Sequence, residues 1–265
     1  MTNFQRLVHV AIPTSYQVQH PSTHSIETTV QGIKKLLPES PVYIYCDWPQ
    51  DYLTREQRHA YWNYLRRLKR LQLGTLIRLG EWVGLPGIHH AIVHHSRLPL
   101  LFNCQHDWKF VQPERIHAET LLYSMFGNKS TVQCVRLSKR LYTKGGGHID
   151  TLLEPVDESL FGVPLLKTSG WSDNPHFATM YHYVVHVMPN MAKTRLPDGS
   201  SGVETYVCRA YRRDIKELGF EAAHKRWGVY LYGRLRDFRY IHHLGLDTTT
   251  WRCNLGLLPE RISGR

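Results

Sequence analysis

Apolar residues alternate between strand-like and helix-like spacing over the first fifty residues. Residues 7–12 form a short apolar run that predicts a buried strand stopped by Pro13. Residues 26–37 repeat apolar side chains at helical spacing, and residues 41–46 return to a short apolar run that ends at Asp47. This order predicts a β-α-β unit, whose two strands run parallel and are joined by a right-handed crossover.

The next fifty residues continue the alternation. Thr54-Arg-Glu-Gln57 has the pattern of a capping box and predicts a basic helix to about Leu71. Its buried stripe is expected to comprise the apolar and aromatic residues Tyr61, Tyr64, Leu65, Leu68 and Leu71. Residues 75–79 predict a third strand, and residues 88–95 a short helix.

A further apolar run, residues 98–104, ends abruptly in the polar residues Gln105, His106 and Asp107. In open α/β sheets, ligands bind beyond the carboxyl ends of the strands, which makes an acid there a functional candidate. A strand that leaves the core through a polar turn explains the same pattern equally well.

The second half has shorter elements. Helices are predicted over 113–125 and 181–188 and from about residue 209 to Gly219, with strands over 131–137, 227–233 and 239–244 and an extended stretch over 160–167. Loops are predicted over 143–149, 170–177 and 197–202. Without a repeat or a clear linker, the chain is expected to form one α/β domain over residues 1–265.

Composition limits the function classes. The chain has 265 residues, 42% of them apolar, and no window long enough to span a membrane. Five widely spaced cysteines form no C-x-x-C pair, which favours reduced thiols in a soluble, cytoplasmic protein. The net charge of +11 indicates an anionic partner: nucleic acid, a membrane face or a phosphorylated small molecule all fit.

Two histidines at helical spacing form a separate candidate. His90 and His94 are four residues apart, a spacing that can hold a metal ion. No glutamate follows the first histidine, so the metalloprotease pattern is absent. We favour a structural or surface role for the pair.

The order of these features resembles the GT-A glycosyltransferases, most closely the inverting, family-2-like enzymes that use nucleotide-diphosphate sugars. The resemblance spans roughly residues 5–245 and includes the acid after the second strand, the strand that ends in His106-Asp107, and a late histidine pair. It implies a Rossmann-like, mixed and mainly parallel sheet flanked by helices. A nucleotide-sugar half of about 1–110, an acceptor half of about 111–250 and a tail of 251–265 would follow.

The resemblance also implies site residues on the donor side. Its nucleotide-contacting positions match Pro13, Thr14, Ser15, Asp47, His90, Gln105 and His106. Asp107 matches the member of the Asp-x-Asp motif that ligates Mn²⁺ or Mg²⁺, whereas Gln105 stands at the place of its first aspartate. His242 and His243 match the late metal ligand, and strand alternation lets one of them face the site, with His243 preferred. Arg209, Arg212 and Arg213 could hold the diphosphate.

On the acceptor side, direct displacement needs a carboxylate that deprotonates the acceptor hydroxyl. Glu204 and Asp173 compete for this role, and we prefer Glu204 as base with Asp173 as sugar ligand. The resemblance thus predicts transfer of a sugar to a carbohydrate or glycoprotein acceptor. Alternatives are a basic nucleic-acid-binding module, less favoured, and a nucleotidyltransferase or metal-dependent hydrolase on a related scaffold. The basic helices leave attachment to an anionic membrane open, and the oligomeric state is unknown.

Overall fold

The computed structural model describes residues 4–127, 131–140, 150–191, 202–237 and 239–244. Eleven strands are present in these residues: β1 (Val8–Thr14), β2 (Val42–Cys46), β3 (Thr75–Arg78), β4 (Leu100–Asn103), β5 (Trp108–Phe110), β6 (Cys134–Arg136), β7 (Leu153–Pro155), β8 (Leu165–Thr168), β9 (His176–Thr179), β10 (Val229–Tyr232) and β11 (Ile241–His243). Nine of them form one sheet in the order β3-β2-β1-β4-β9-β6-β10-β8-β7, and β5 pairs separately with β11.

The helices of the described residues are α1 (His24–Leu36), α2 (Arg55–Leu71), α3 (Gly84–His95), α4 (Ala118–Gly127), α5 (Glu158–Phe161), α6 (Met180–His182), α7 (Val203–Leu218) and α8 (Phe220–Trp227). Helix α6 continues through a π-helical turn and a 3-10 turn, and further 3-10 turns precede β1 and α4. The predicted α/β class, with helices around a mainly parallel sheet, is confirmed.

Strand direction explains where the polar ends of the strands meet. β1 pairs in parallel with both β2 and β4, and β2 pairs in parallel with β3, as the β-α-β pattern predicts. β9 is antiparallel to its neighbours β4 and β6, and β8 to β10 and β7. In the nine-stranded sheet every described strand except β8 and β9 therefore points the same way. The carboxyl ends of β1, β2, β4 and β6 and the start of β9 share one edge.

The sheet separates two apolar layers. Alternate residues of β1, such as Val8, Val10 and Ile12, pack on the side that holds α1, α2 and α4. Ala11 packs on the opposite side with α3, α7 and α8. Both faces of the central strands are covered, which is why these strands read as continuous apolar runs rather than as alternating patterns.

The helix predicted from residue 54 is confirmed. Thr54 accepts a hydrogen bond from the Gln57 backbone and the Gln57 side chain accepts one from the Thr54 backbone, which completes the capping box. Tyr61, Tyr64, Leu65 and Leu68 of α2 are buried as predicted, whereas Leu71 is 41% exposed. The α2 cations Arg55, Arg66, Arg67, Lys69 and Arg70 are exposed.

Several predicted boundaries need correction. β1 continues through Pro13 to Thr14, because Pro13 pairs with Tyr45 in a parallel ladder that does not need its missing N–H. Helix α7 begins at Val203, since Gly202 adopts the left-handed conformation before it. The stretch 160–167 is partly helical through α5, and α8 was not predicted. Residues 143–149 and most of the 197–202 loop lie outside the described residues.

The cysteines agree with the prediction of reduced thiols. Cys46, Cys104, Cys134 and Cys208 are all free and buried. Cys253 lies outside the described residues. A membrane crossing needs a helix that is both long and apolar, and the described part of the chain contains none.

Candidate active site

Side chains from five places on the chain lie at the shared edge of the sheet. Asp107 follows β4, Lys139 follows β6, Asp173 precedes β9, Glu204 opens α7 and His243 ends β11. Trp108 and Asn174 adjoin these residues, and together the seven side chains are the candidate site. The contacts below hold them together although they are far apart in sequence.

Asp107 and His243 form the first pair. β5 and β11 pair in a register that sets His243 opposite Trp108, and His243 Nε2 lies 3.1 Å from Asp107 Oδ2. The other carboxylate oxygen, Oδ1, is buried and has no hydrogen-bond partner among the described residues. Burial alone would raise the pKa of Asp107, but the hydrogen bond from His243 and the charges of His106 and His243 lower it to about 2. Asp107 therefore carries a stable negative charge.

Asp173 and Glu204 form the second pair. Glu204 lies in the first turn of α7, where the helix dipole favours a carboxylate, and Ser172 Oγ donates to its Oε2 at 3.0 Å. Asp173 Oδ2 accepts from Gln105 Nε2 at 3.1 Å. Burial, followed by the charge and hydrogen bond of Glu204, raises the pKa of Asp173 well above its usual range. Asp173 thus keeps its proton to a higher pH than an ordinary aspartic acid.

Lys139 lies between the two acidic pairs, and the sequence prediction did not include it. Its Nζ donates to Asn174 Oδ1 at 3.2 Å and lies 5.8 Å from the centre of the Trp108 ring. Burial lowers the pKa of Lys139, although Glu204 and Asp173 act against that shift. The rule that singled out Asp107, a polar residue after a buried strand, also applies to Lys139, because it comes two residues after the predicted strand 131–137.

Asp47 lies at the same edge, at the end of β2, and is almost fully buried. Its Oδ1 accepts from the backbone N–H groups of Trp48 and Val83, at 2.9 and 3.0 Å, and its Oδ2 accepts from Gly84 at 3.0 Å. Burial raises the pKa of Asp47 despite these hydrogen bonds. The carboxylate holds the start of α3 against β2, and contact with a base or ribose stays a prediction.

The end of β1 is tied to the same region. Thr14 Oγ1 lies 3.0 Å from the Tyr64 hydroxyl, and His106 Nδ1 donates to the Pro13 carbonyl at 3.2 Å. His106 Nε2 is buried and unpaired among the described residues. Pro13, Thr14 and His106 therefore form one connected group beneath Asp107, and their contact with a nucleotide stays a prediction.

Other predicted residues are not drawn into this cluster. His90 lies half-buried in the second turn of α3, and Ser15 follows β1 without a described hydrogen bond. His242 is exposed beside Arg239, its Nδ1 3.4 Å from the guanidinium, whereas His243 is the histidine that meets Asp107. The exposed Arg209 lies over the Tyr206 ring.

The side chains present suit a divalent cation only in part. Asp107 offers the unpaired Oδ1 and His243 an imidazole, a combination of oxygen and nitrogen that Mn²⁺ accepts. Gln105, at the place of the first aspartate, donates its amide to Asp173 instead. Within the described residues, no group of three or more histidine, cysteine or acidic side chains is arranged around one point. Oxygens of a bound diphosphate would have to complete the coordination.

Sequence comparisons give little. No family model matches the chain. A stretch of 110 residues is 29% identical to (+)-copalyl diphosphate synthase 3, chloroplastic, of Marrubium vulgare. The stretch makes up 42% of this chain and 12% of that protein.

Comparisons with solved structures find similar chain courses. The mannosyltransferase PcManGT from Pyrobaculum calidifontis, in complex with GDP-Man and Mn²⁺, matches 84% of this chain and 56% of its own at 13% identity, with a TM-score of 0.47. S. aureus TarS 1-349 matches 89% and 60% at 10% identity, with a TM-score of 0.49. GalNAc-T7 with UDP, GalNAc and Mn²⁺ matches 85% and 42% at 11% identity, with a TM-score of 0.48.

The chain spans about half the length of these solved structures. The likenesses concern the course of the chain.

Proposed function

We propose that this protein is an inverting glycosyltransferase of the GT-A type. It would move a sugar from a nucleotide-diphosphate sugar to a carbohydrate or glycoprotein acceptor. The observation that carries the proposal is that two different pairs lie at one edge of the sheet: a carboxylate with a histidine, and two carboxyl groups. Asp107, beside His243, is a carboxylate whose pKa is lowered to about 2, and Asp173, beside Glu204, is a carboxyl group whose pKa is raised well above its usual range.

The donor would lie at the ends of β1, β2 and β4, where parallel strands bring Thr14, Asp47 and Asp107 to the same edge. A nucleotide-diphosphate sugar placed there would have its base towards β1 and β2 and its diphosphate towards Asp107. When bound, Mn²⁺ or Mg²⁺ would neutralise charge on the leaving diphosphate. Asp107 and His243 are the residues that would hold the ion.

The acceptor would approach from the side of Glu204. The acceptor oxygen forms a bond to the anomeric carbon, opposite the leaving group, while the bond from that carbon to the diphosphate oxygen breaks. The electron pair of that bond leaves with the nucleoside diphosphate, and the acceptor proton moves to Glu204. Ser172 orients the Glu204 carboxylate by donating a hydrogen bond to it. Asp173, whose raised pKa favours its protonated form, can donate to a sugar oxygen.

A nucleotide panel tests the proposal. Thermal unfolding is measured with UDP, GDP, CDP and dTDP, each with and without Mn²⁺, because a ligand that binds the folded state raises the Tm. One nucleotide is expected to raise the Tm most, and its sugar conjugates are then assayed for transfer or slow hydrolysis. If none of them stabilises the protein at millimolar concentration, the proposal is wrong.

The exposed cations of α2 support the second candidate, a nucleic-acid-binding module. An open groove of about 780 Å³ beside this helix is lined by Arg55, Arg58 and His59, with Trp62 and Asn63 among its other residues. Binding of an oligonucleotide that weakens steeply with added salt, without any nucleotide effect on the Tm, would favour this candidate. Cytoplasmic location, membrane attachment and a single domain also stay predictions.

A further inference from the structure

Lys139 differs from a solvated surface lysine in its partial burial and in its hydrogen bond to Asn174. It follows β6 at the edge of the sheet that the carboxyl end of β4 shares, and its side chain is half-buried. An ammonium group has three N–H donors, and the described residues accept one of them, through Asn174 Oδ1 at 3.2 Å. Among the described residues, the other two donors have no hydrogen-bonded acceptor.

The neighbours of Lys139 set it between the donor and acceptor sides. Trp108 adjoins Asp107 in sequence and lies edge to face against His243, with ring centres 4.8 Å apart. Lys139 Nζ is 5.8 Å from the Trp108 ring centre on that side. On the other side it donates to Asn174, which adjoins Asp173 in sequence. The ammonium thus lies between the residues that adjoin Asp107 and Asp173, Trp108 on one side and Asn174 on the other.

The protein also supplies few acids to a metal at this place. Gln105 is neutral and donates its amide to Asp173, which leaves Asp107 as the carboxylate of this loop, with its Oδ1 unpaired among the described residues. The charge that develops on a departing diphosphate must be met by fixed cations or by a metal ion. A lysine is a common phosphate-binding group and needs no metal to act.

We propose that Lys139 binds the diphosphate of the donor and takes up part of the charge of the leaving group. The inference rests on the proposed function and adds a cationic residue that the resemblance to GT-A enzymes did not supply. It also assigns affinity for nucleoside diphosphate to the protein without a divalent ion. Lys139 as a mere counter-ion for Glu204 and Asp173 would affect stability but not that affinity.

Isothermal titration of the nucleoside diphosphate that binds the wild-type protein, chosen from UDP, GDP, CDP and dTDP, tests the inference in EDTA and in Mn²⁺. Lys139→Met is expected to weaken binding in EDTA about 10–100-fold, the loss typical of one charge-assisted hydrogen bond. The loss in Mn²⁺ is expected to be smaller, since the ion then shares the charge. Lys139→Arg should stay within about tenfold of wild type, because it keeps a cation.

Two controls make the result specific. Lys109→Met removes the same charge from an exposed position on β5, one residue from Trp108, and should leave affinity unchanged. The matching nucleoside monophosphate should lose less affinity than the diphosphate in Lys139→Met. Thermal unfolding of each variant shows that it is folded.

Two outcomes separate the inference from the function it rests on. If wild type binds a nucleoside diphosphate and Lys139→Met binds it equally well in EDTA, the assignment of Lys139 is wrong and the proposed function stands. If wild type binds none of the four, the proposed function fails and the inference fails with it.

Discussion

Asp107 and Asp173 lie at the same edge of the sheet, and burial raises the pKa of both. The net pKa shift is nevertheless downward for Asp107 and upward for Asp173. Burial would raise the pKa of Asp107, but its hydrogen bond with His243 and the nearby imidazole charges bring it to about 2. Burial raises the pKa of Asp173 too, and the like charge of Glu204 raises it further. Burial raises the pKa of both aspartates, and the partner, a histidine for Asp107 and a glutamate for Asp173, accounts for the opposite net shifts.

The difference divides the candidate site into two chemical halves. Asp107 stays anionic and suits a cation near the donor diphosphate. The raised pKa of Asp173 favours its protonated form, which makes Asp173 the less suitable of the two acids to act as a base. A site with two ionised pairs could hold a metal but would offer no carboxyl group as a donor to a sugar. Substitutions of Glu204, Asp107 and Asp173 are therefore expected to act on proton transfer, on metal-dependent binding and on stability, respectively.

Glu204→Gln is expected to have the largest effect. The amide keeps the size of the side chain but cannot accept a proton, so transfer should fall by at least about 100-fold, the usual contribution of a general base. Affinity for the nucleoside diphosphate should stay within a few-fold. Transfer rates and titration calorimetry measure the two quantities.

Glu217→Gln is the matched control, since Glu217 is exposed near the far end of the same helix α7. It should transfer at the wild-type rate. If Glu204→Gln also does, another group is the base, and Asp173 becomes the candidate.

Asp107→Asn is expected to have the next largest effect, and on binding instead of proton transfer. Asparagine can still accept from His243, but it removes the negative charge that would face a metal ion. Mn²⁺ should therefore improve nucleoside diphosphate affinity about 10–100-fold less than in wild type. Titrations with and without Mn²⁺ give this ratio, and Glu114→Gln, an exposed charge loss, should leave it unchanged. An unchanged ratio in Asp107→Asn would remove the metal role of Asp107.

Local patterns in the sequence predicted the first half of the fold well. Helix α2 and its capping box depend on contacts between residues three or four apart, which the sequence shows directly. The parallel pairing of β1 with β2 follows from the β-α-β order. Asp107 was predicted because a buried strand ends just before it.

The contacts inside the site depend on sheet order, and spacing along the chain does not show sheet order. β9 lies between β4 and β6 and is antiparallel to both, which brings Asp173 next to Gln105, 68 residues away. The same insertion brings Lys139 to Asn174. A strand that follows a loop reads the same in the sequence whichever neighbour it joins. The position of Lys139 after a strand was visible in the sequence, but its contact with Asn174 and the pairing of Asp173 with Glu204 could not be predicted.

The choice between His242 and His243 shows an intermediate case. Strand alternation predicts that one histidine faces the site, but the facing side depends on the register of β11 against β5. That register sets His243 opposite Trp108 and directs it to Asp107. The sequence preferred His243 by position, the orientation of that side chain depends on a long-range pairing, and its role as a metal ligand stays a prediction.

Asp173→Asn is expected to have the smallest effect, and on stability. The folded protein holds the Asp173 proton more tightly than the unfolded chain does, so unfolding releases a proton and stability falls as pH rises from about 4. Asparagine cannot ionise, yet it can accept from Gln105 and donate to Glu204. The variant should gain no stability near pH 4 and should melt above wild type at pH 8, by at least about 2 °C.

Scanning calorimetry from pH 5 to pH 8 measures the difference in Tm, which should grow with pH. Asp51→Asn removes an exposed carboxylate and should give a difference that does not change over this range. A constant difference for Asp173→Asn as well would mean that Asp173 ionises normally. The two aspartates would then not differ in the direction of their pKa shifts, and Asp173 would become a second candidate for the base.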